Sequence, residues 1–222
     1  SNCGQAPAIV PGQVFSVSEN APDNSSVGNV LATDPDTDAE FQNWKINGGS
    51  GADIFAIDAS TGELTVKDSS LLDFESSTRS YDLILTVTDG YFKSAPNTVT
   101  ITLTNANDIA PIVSPATFIA SENAPAGQVI GTASATDADD STQSFQDWRI
   151  TSGTGASLFA VNDSTGEISV LDSAVLDFET TTSYTLNVTV SDGINTSGET
   201  TITINITNEN DNTPVVTEGQ SF

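Results

Sequence analysis

Acidic side chains recur in this chain at matched places. Glu19 and Glu122 stand in V-S-E-N-A-P (17–22) and A-S-E-N-A-P (120–125). Asp34 and Asp36 lie in A-T-D-P-D (32–36), and Asp137 and Asp139 in A-T-D-A-D (135–139). L-D-F-E occurs at 72–75 and 176–179, pairing Asp73 with Glu75 and Asp177 with Glu179. V-T-D-G (87–90) and V-S-D-G (190–193) supply Asp89 and Asp192. Two Asn/Asp phrases, N-A-N-D-I-A-P (105–111) and N-E-N-D-N-T-P (208–214), complete the set. Carboxylate, amide and carbonyl oxygens are what Ca²⁺ takes as ligands. With 30 acidic residues against 5 basic and a formal net charge of -25, ion pairs cannot neutralise these positions. The alternative is an acidic, soluble surface suited to saline surroundings, and composition alone leaves both readings open.

The same balance excludes other chemistry. Little here could neutralise phosphates, so nucleic acid is not expected as a partner and an anionic membrane surface is disfavoured for the same reason. The chain has no histidine and one cysteine. Ser-His-Asp and Cys-His nucleophile systems, ordinary zinc sites and an intramolecular disulfide all fall away. Paired carboxylates are also what a glycosidase uses. Here the same pairs recur in both halves at matched positions and the chain has no histidine, so no enzyme is expected. No apolar run approaches the ~18 residues of a membrane span, and no signal peptide is present. Residues 1–5 read as an N-terminal tail, with Ser-Asn a tag remnant. Cys3-Gly4 before polar residues resembles a bacterial lipoprotein just past its lipid-bearing cysteine, and a chance free thiol is the alternative.

The elements that must position the acids repeat with them. The halves align continuously at a shift of 103 or 104 residues, as with F-Q-N-W-K-I (41–46) and F-Q-D-W-R-I (145–150). This is a tandem array. Residues 6–108 form the first repeat and 109–212 the second, while 213–222 restart the pattern as a truncated third. Within each unit the period is two: Tyr81, Leu83, Leu85 and Val87 alternate with polar residues, as do Tyr184, Leu186, Val188 and Val190. Val99, Ile101 and Leu103, and Ile202, Ile204 and Ile206, do the same. No helix-period segment of useful length occurs. About seven short strands per repeat, bounded by Gly, Asn, Asp and Pro turns, predict an antiparallel sandwich. Trp44 and Trp148 fall on equivalent mid-domain strands and are expected in the core rather than on a ligand platform.

Parity sharpens one acid. Asp89 continues the inward set 81, 83, 85, 87, so it is expected at the pole of the core, where an unpaired carboxylate is costly and a divalent ion would satisfy it. Two other acidic or glycine-rich stretches mimic known loops. D-P-D-T-D (34–38) begins like an EF-hand loop, but Ala39 and Lys45 occupy the places of its Gly and final Glu. G-G-S-G-A-D-I-F (48–55) resembles a calcium β-roll repeat, yet one copy cannot stack, and S-G-T-G-A-S-L-F (152–159) lacks the Asp. It is expected to be a Gly-rich loop between strands. Asp23, Glu40 and Glu199 are expected to be solvated surface.

S-E-N-A-P, D-x-D, L-D-x-E, V-x-D-G and N-x-N-D-x-x-P, in this order within ~100 residues, resemble the cadherin repeat over essentially the whole chain. The resemblance implies an all-β fold of two tandem seven-stranded Greek-key (Ig-like, cadherin-type) β-sandwiches joined end to end. It also implies up to three Ca²⁺ ions at the junction. The implied ligands are Glu19, Asp73 and Glu75 from the first repeat, Asn107 and Asp108 from the linker, and Asp137, Asp139 and Asp192 from the second. Ala106 and Ile109 would contribute backbone carbonyls. Two further half-sites are implied: Glu122, Asp177, Glu179, Asn210 and Asp211, and Asp34, Asp36 and Asp89. The pattern departs from the family's usual linker, with Asn105 and Asn208 replacing its first Asp and Ile109 its last Asn. L-D-F-E replaces the usual L-D-R-E. No tryptophan lies near the N-terminus, so strand-swap adhesion is not expected.

The implied function is a calcium-rigidified segment of a bacterial cell-surface or secreted protein, acting in adhesion or as a rigid spacer. Its implied partners are calcium, neighbouring repeats of the same chain, and homophilic protein contacts. The alternative is a calcium-dependent polysaccharide-binding module of a carbohydrate-degrading system, with Phe41, Phe145, Tyr91 and Phe92 as the aromatic strip.

Overall fold

The computed structural model describes residues 4–36, 39–139, 143–172, 176–216 and Gly219. Cys3, and with it the lipoprotein reading, lies outside the described residues, as do Asp38 and most of 217–222. The chain forms two units, divided between Ala106 and Asn107.

In the first unit the strands are β1 (Ala8–Ile9), β2 (Val14–Ser18), β3 (Ser26–Asn29), β4 (Ala32–Thr33), β5 (Gln42–Gly48), β6 (Phe55–Ile57), β7 (Glu63–Val66), β8 (Ser80–Thr88) and β9 (Asn97–Thr104). One sheet runs β2-β9-β8-β5; the other is β3-β7-β6, accompanied by the pair β1-β4. Seven strands become nine segments because the first and second are each broken. Pro11 and Gly12 turn the chain between β1 and β2, and Gly12 has φ 73, a left-handed backbone that glycine adopts freely. The first strand thereby leaves β4 and joins β9 in parallel, with Val14 opposite Thr100. At the break the Gln13 amide substitutes for the ladder: Nε2 donates to Val10 O and Leu31 O, and Oε1 accepts from Leu31 N.

The second unit repeats this with β10 (Ile112–Val113), β11 (Ala116–Ser121), β12 (Val129–Thr132), β13 (Ala135–Thr136), β14 (Gln146–Ser152), β15 (Phe159–Val161), β16 (Glu167–Val170), β17 (Ser183–Ser191) and β18 (Thr200–Thr207). Its sheets are β11-β18-β17-β14 and β12-β16-β15, with the pair β10-β13.

The period-two residues fill both cores. Tyr81, Leu83, Leu85, Val87, Val99, Ile101 and Leu103 are buried in the first, and Tyr184, Leu186, Val188, Val190, Ile202, Ile204 and Ile206 in the second. Trp44 and Trp148 are only 5% and 4% exposed, each edge-on to Phe41 or Phe145 at 6.3 and 6.4 Å. The Gly-rich loop brings backbone against backbone. A Cβ on Gly49 would lie 2.2 Å from Asp82 O, and one on Gly153 equally close to Thr185 O. Those glycines serve close packing of the loop on β8 and β17, as the loop reading expects.

Candidate metal centre

Each unit carries acids at both ends of its sandwich, and local hydrogen bonds decide which of them converge. In the first unit Glu19 follows β2 directly and is only 5% exposed. Its Oε1 accepts from Ala106 N at 2.8 Å and its Oε2 from Phe74 N at 2.5 Å. The buried carboxylate thus ties the turn after Leu72 to the segment leaving β9. Asp73 accepts from Ser76 N through Oδ1 (2.9 Å). One oxygen from each of Glu19, Asp73 and Glu75 then lies within 4.8 Å of the others.

At the other end of this unit Asp34, Asp36 and Asp89 converge within the same distance. Asp34 Oδ1 accepts from Asp36 N at 2.7 Å, and Asp36 Oδ2 accepts from Gln5 N at 2.9 Å. Asp89 follows β8 in a hairpin closed by Ser94, whose buried Oγ accepts from Val87 N at 3.0 Å. The N–H groups of Phe92 and Tyr91 both point at Asp89 Oδ1 and hold its carboxyl below the usual range, against a smaller effect of burial. Asp34 Oδ2 is buried and has no hydrogen-bond partner among the described residues.

The second unit builds the matching end with its own linker residues. Asp139 N donates to Asp137 Oδ1 (2.9 Å), while Asp139 Oδ2 accepts from the N–H groups of Asp108 (2.9 Å) and Ile109 (2.6 Å). Asp192 Oδ1 accepts from Ile194 N and Asn195 N, both at 2.7 Å. Burial is the largest single influence on Asp192 and raises its pKa. The N–H donors of Asn195 and Ile194, with the side chains of Asn195 and Asn107, outweigh it and leave the carboxyl below its ordinary value. The Asn195 amide donates to Asn107 Oδ1 at 2.8 Å, with longer contacts to Ile109 O and Asp192 Oδ2. Asp137 Oδ2, like Asp34 Oδ2, is buried without a hydrogen-bond partner among the described residues. The same orphaned atom therefore recurs at equivalent places.

At the far end of the second unit Glu122, 3% exposed, repeats the role of Glu19, accepting from Phe178 N and Glu209 N at 2.7 and 2.6 Å. The acids that converge there are Glu122, Glu179 and Asp211. Asp177 is turned to its own loop, its Oδ2 accepting the Thr180 hydroxyl at 2.5 Å. That hydroxyl is the main cause of a lowered Asp177 pKa, against the opposing effect of burial. Asn208 Nδ2 donates to Glu179 Oε1 at 2.9 Å, and Asn210 is exposed.

These donor sets suit a hard cation. They offer oxygen only, they place like charges together, and the buried Asp34 Oδ2 and Asp137 Oδ2 have no donor among the described residues. Asn195 and Arg79 were not anticipated as site residues. The signals were a side-chain amide three residues after Asp192, and a rare basic residue beside L-D-F-E. Of the aromatic strip, Phe41 and Phe145 pack against the cores, whereas Tyr91 is 92% exposed.

Comparison with known proteins places this architecture. A model of the cadherin domain matches residues 13–104 and again 116–207. The chain is 36% identical over 207 residues to the protocadherin-like wing polarity protein stan of Drosophila melanogaster, covering 89% of this chain and 6% of that protein. It is 34% identical over 213 residues to Protocadherin Fat 1 of Homo sapiens, covering 91% and 4%. The chain thus spans less than a tenth of the length of either relative. The human Desmocollin-1 ectodomain matches with a TM-score of 0.71 at 24% identity, over 95% of this chain and 43% of that one. Mouse Protocadherin-24 EC1-3 also gives 0.71, at 22% identity, over 91% and 70%. At these identities the structures speak for the fold. Cadherin repeats are typical of adhesion and receptor proteins rather than enzymes. Two domain matches spanning most of the chain, on two sandwiches of the expected topology, make this chain a member of the cadherin family.

Proposed function

We propose that this chain is a calcium-rigidified cadherin segment of a bacterial cell-surface or secreted protein, acting in adhesion or as a rigid spacer. The repeats run 6–108 and 109–212, with 213–222 beginning a third. The observation that carries the calcium reading is the convergence of Glu19, Asp73 and Glu75 around a carboxylate that is itself buried. Glu19, Asp73 and Glu75 would act with Asn107, Asp108, Asp137, Asp139 and Asp192, and with the carbonyls of Ala106 and Ile109, on shared ions. Calcium, when bound, would supply the positive charge that offsets these seven carboxylates. Before that, the chain's own donors do part of the work. The N–H groups of Phe74, Ala106, Asp108 and Ile109 fix Glu19 and Asp139, so the acids are aimed without a metal. Ligands drawn from two repeats would couple ion binding to the orientation of those repeats by mass action. The bacterial assignment is supported by the single cysteine, the Thr- and Asn-rich strands and the acidic surface.

Moving from excess chelator to millimolar Ca²⁺ should raise the melting temperature and lengthen the particle in solution scattering. No change in either would refute the reading. Polysaccharide binding stands as the second function because Tyr91 and Phe92 are 92% and 44% exposed side by side. A polysaccharide pull-down lost on Tyr91→Ala with Phe92→Ala, and retained by the parent chain, would favour it.

A further inference from the structure

The turn that carries Asp73 and Glu75 is one residue longer than its counterpart, has Ser76 and Ser77 where that one has Thr180 and Thr181, and carries a basic side chain that the other lacks. Arg79 donates from Nε to Phe74 O at 2.9 Å, and its guanidinium lies 4.3 Å from the centre of the Phe74 ring. Phe74 N–H is held by Glu19 Oε2. Both peptide groups flanking Phe74 are therefore fixed, one by Glu19 and the other by Arg79, and these two groups orient the side chains of Asp73 and Glu75. Arg79 is itself anchored, since its carbonyl accepts from Leu103 N at 2.9 Å. Its charged end thus reaches back from the start of an interior strand.

The second unit supplies the comparison. Thr182 holds the matching backbone place, its carbonyl accepting from Ile206 N at 2.9 Å, but its side chain is too short and uncharged to clamp Phe178. There the first acid of L-D-F-E leaves the group: Asp177 turns to the Thr180 hydroxyl, and Glu122 gathers Glu179 and Asp211 instead. With the clamp present, Asp73 stays with Glu19 and Glu75.

We propose that Arg79 is a positioning residue that locks the 73–75 turn, so that both acids face Glu19, and thereby raises the affinity of the first unit for a divalent cation. The cation half of this statement rests on the calcium reading above; the locking half does not. The sign of the effect separates positioning from simple charge. A nearby guanidinium repels a cation, so deleting it would strengthen binding if charge alone mattered. Loss of positioning weakens binding instead. A planar fork that stacks and donates at once is not reproduced by lysine.

The test uses the whole chain with Arg79→Met and Arg79→Lys. Calcium affinity is measured by titration calorimetry, and exchange of the Phe74 amide by NMR in chelator. Both variants should lose about tenfold in affinity, the lower end for residues that orient metal ligands. Both should also exchange the Phe74 amide severalfold faster without metal. Unchanged or tighter calcium binding by Arg79→Met overturns the proposal, as does full rescue by Arg79→Lys. A parent chain that binds no calcium refutes the calcium reading alone. Faster Phe74 exchange in the variants would then still uphold the locking role, and unchanged exchange would end it.

Discussion

Replacing Glu19 by Gln sets two opposed forces against each other, and calcium decides which one is seen. Glu19 accepts two backbone N–H groups, and Gln can offer an oxygen to only one of them. Losing one hydrogen bond to a charged group costs about 1.5–3 kcal/mol. The same change removes like-charge repulsion from Asp73 and Glu75, whose ligand oxygens lie within 4.8 Å. Coulomb's law gives about 1 kcal/mol per pair in bulk water and about 3 kcal/mol at the effective dielectric of a protein surface. In chelator the repulsion relieved from the two pairs, about 2–6 kcal/mol in all, offsets or exceeds the lost bond, and the variant should melt no lower than the parent. In calcium the repulsion is already neutralised, so the lost bond and lost ligand act unopposed. The variant should then be weaker by about 2 kcal/mol or more, or about 8–16 °C for a domain of this size. Trp44 and Trp148 report the units separately, one buried in each core, once the other is changed to Phe. Glu122→Gln is the matched comparison in the second unit, where the acid also accepts two backbone N–H groups and also converges with two other acids, so it should show the same dependence on calcium if that group binds the ion. An equal loss for Glu19→Gln in both media would show that Glu19 is a backbone hub and not a cation ligand.

Three further outcomes follow from the packing. Leu83→Ala and Leu186→Ala each empty a fully buried site and should cost about 2–5 kcal/mol in urea titrations, each seen mainly by the tryptophan of its own unit. Gly49→Ala and Gly153→Ala should abolish or severely weaken folding, because the new methyl would meet a β8 or β17 carbonyl, whereas Gly198→Ala has open space and should change stability by less than ~0.5 kcal/mol. The N–H of Thr61, then that of Ser60 and the Thr61 hydroxyl, hold the Asp58 carboxyl below its ordinary range. Its stabilisation is therefore complete above the unfolded value of about 4 and is lost as pH falls through the lower folded value. Asn162 makes the equivalent turn with a side chain that does not titrate. Acid titration followed at Trp44 should thus show a component that Asp58→Asn removes.

The strands and their inward residues were legible in the sequence because strand parity follows from backbone geometry, and Tyr81 to Val87 alternate accordingly. The repeat also foretold where acids gather, since L-D-F-E and V-x-D-G recur in fixed order. It could not tell Asp73 from Asp177. A carboxylate's direction is chosen by nearby donors: Thr180 captures one, while Ser76 and the Arg79-clamped turn keep the other in place. Nor did alternation foresee the broken first strand, whose crossing relies on a left-handed Gly12 and the Gln13 amide. Asn195 escaped notice for a similar reason, since its role lies in reaching a linker 88 residues away in sequence.

The parallel pairing of β2 with β9, and of β11 with β18, has a mechanical consequence. In each unit the second strand segment runs alongside the last one, so tension passed along the chain loads their ladder in shear. All rungs must then yield together rather than unzip in turn. The first unit opposes such a pull with five registered pairs, Val14 to Ser18 against Thr100 to Thr104. The second has six, Ala116 to Ser121 against Ile202 to Thr207. By this difference the first unit should yield at the lower force, releasing slack while the second still holds.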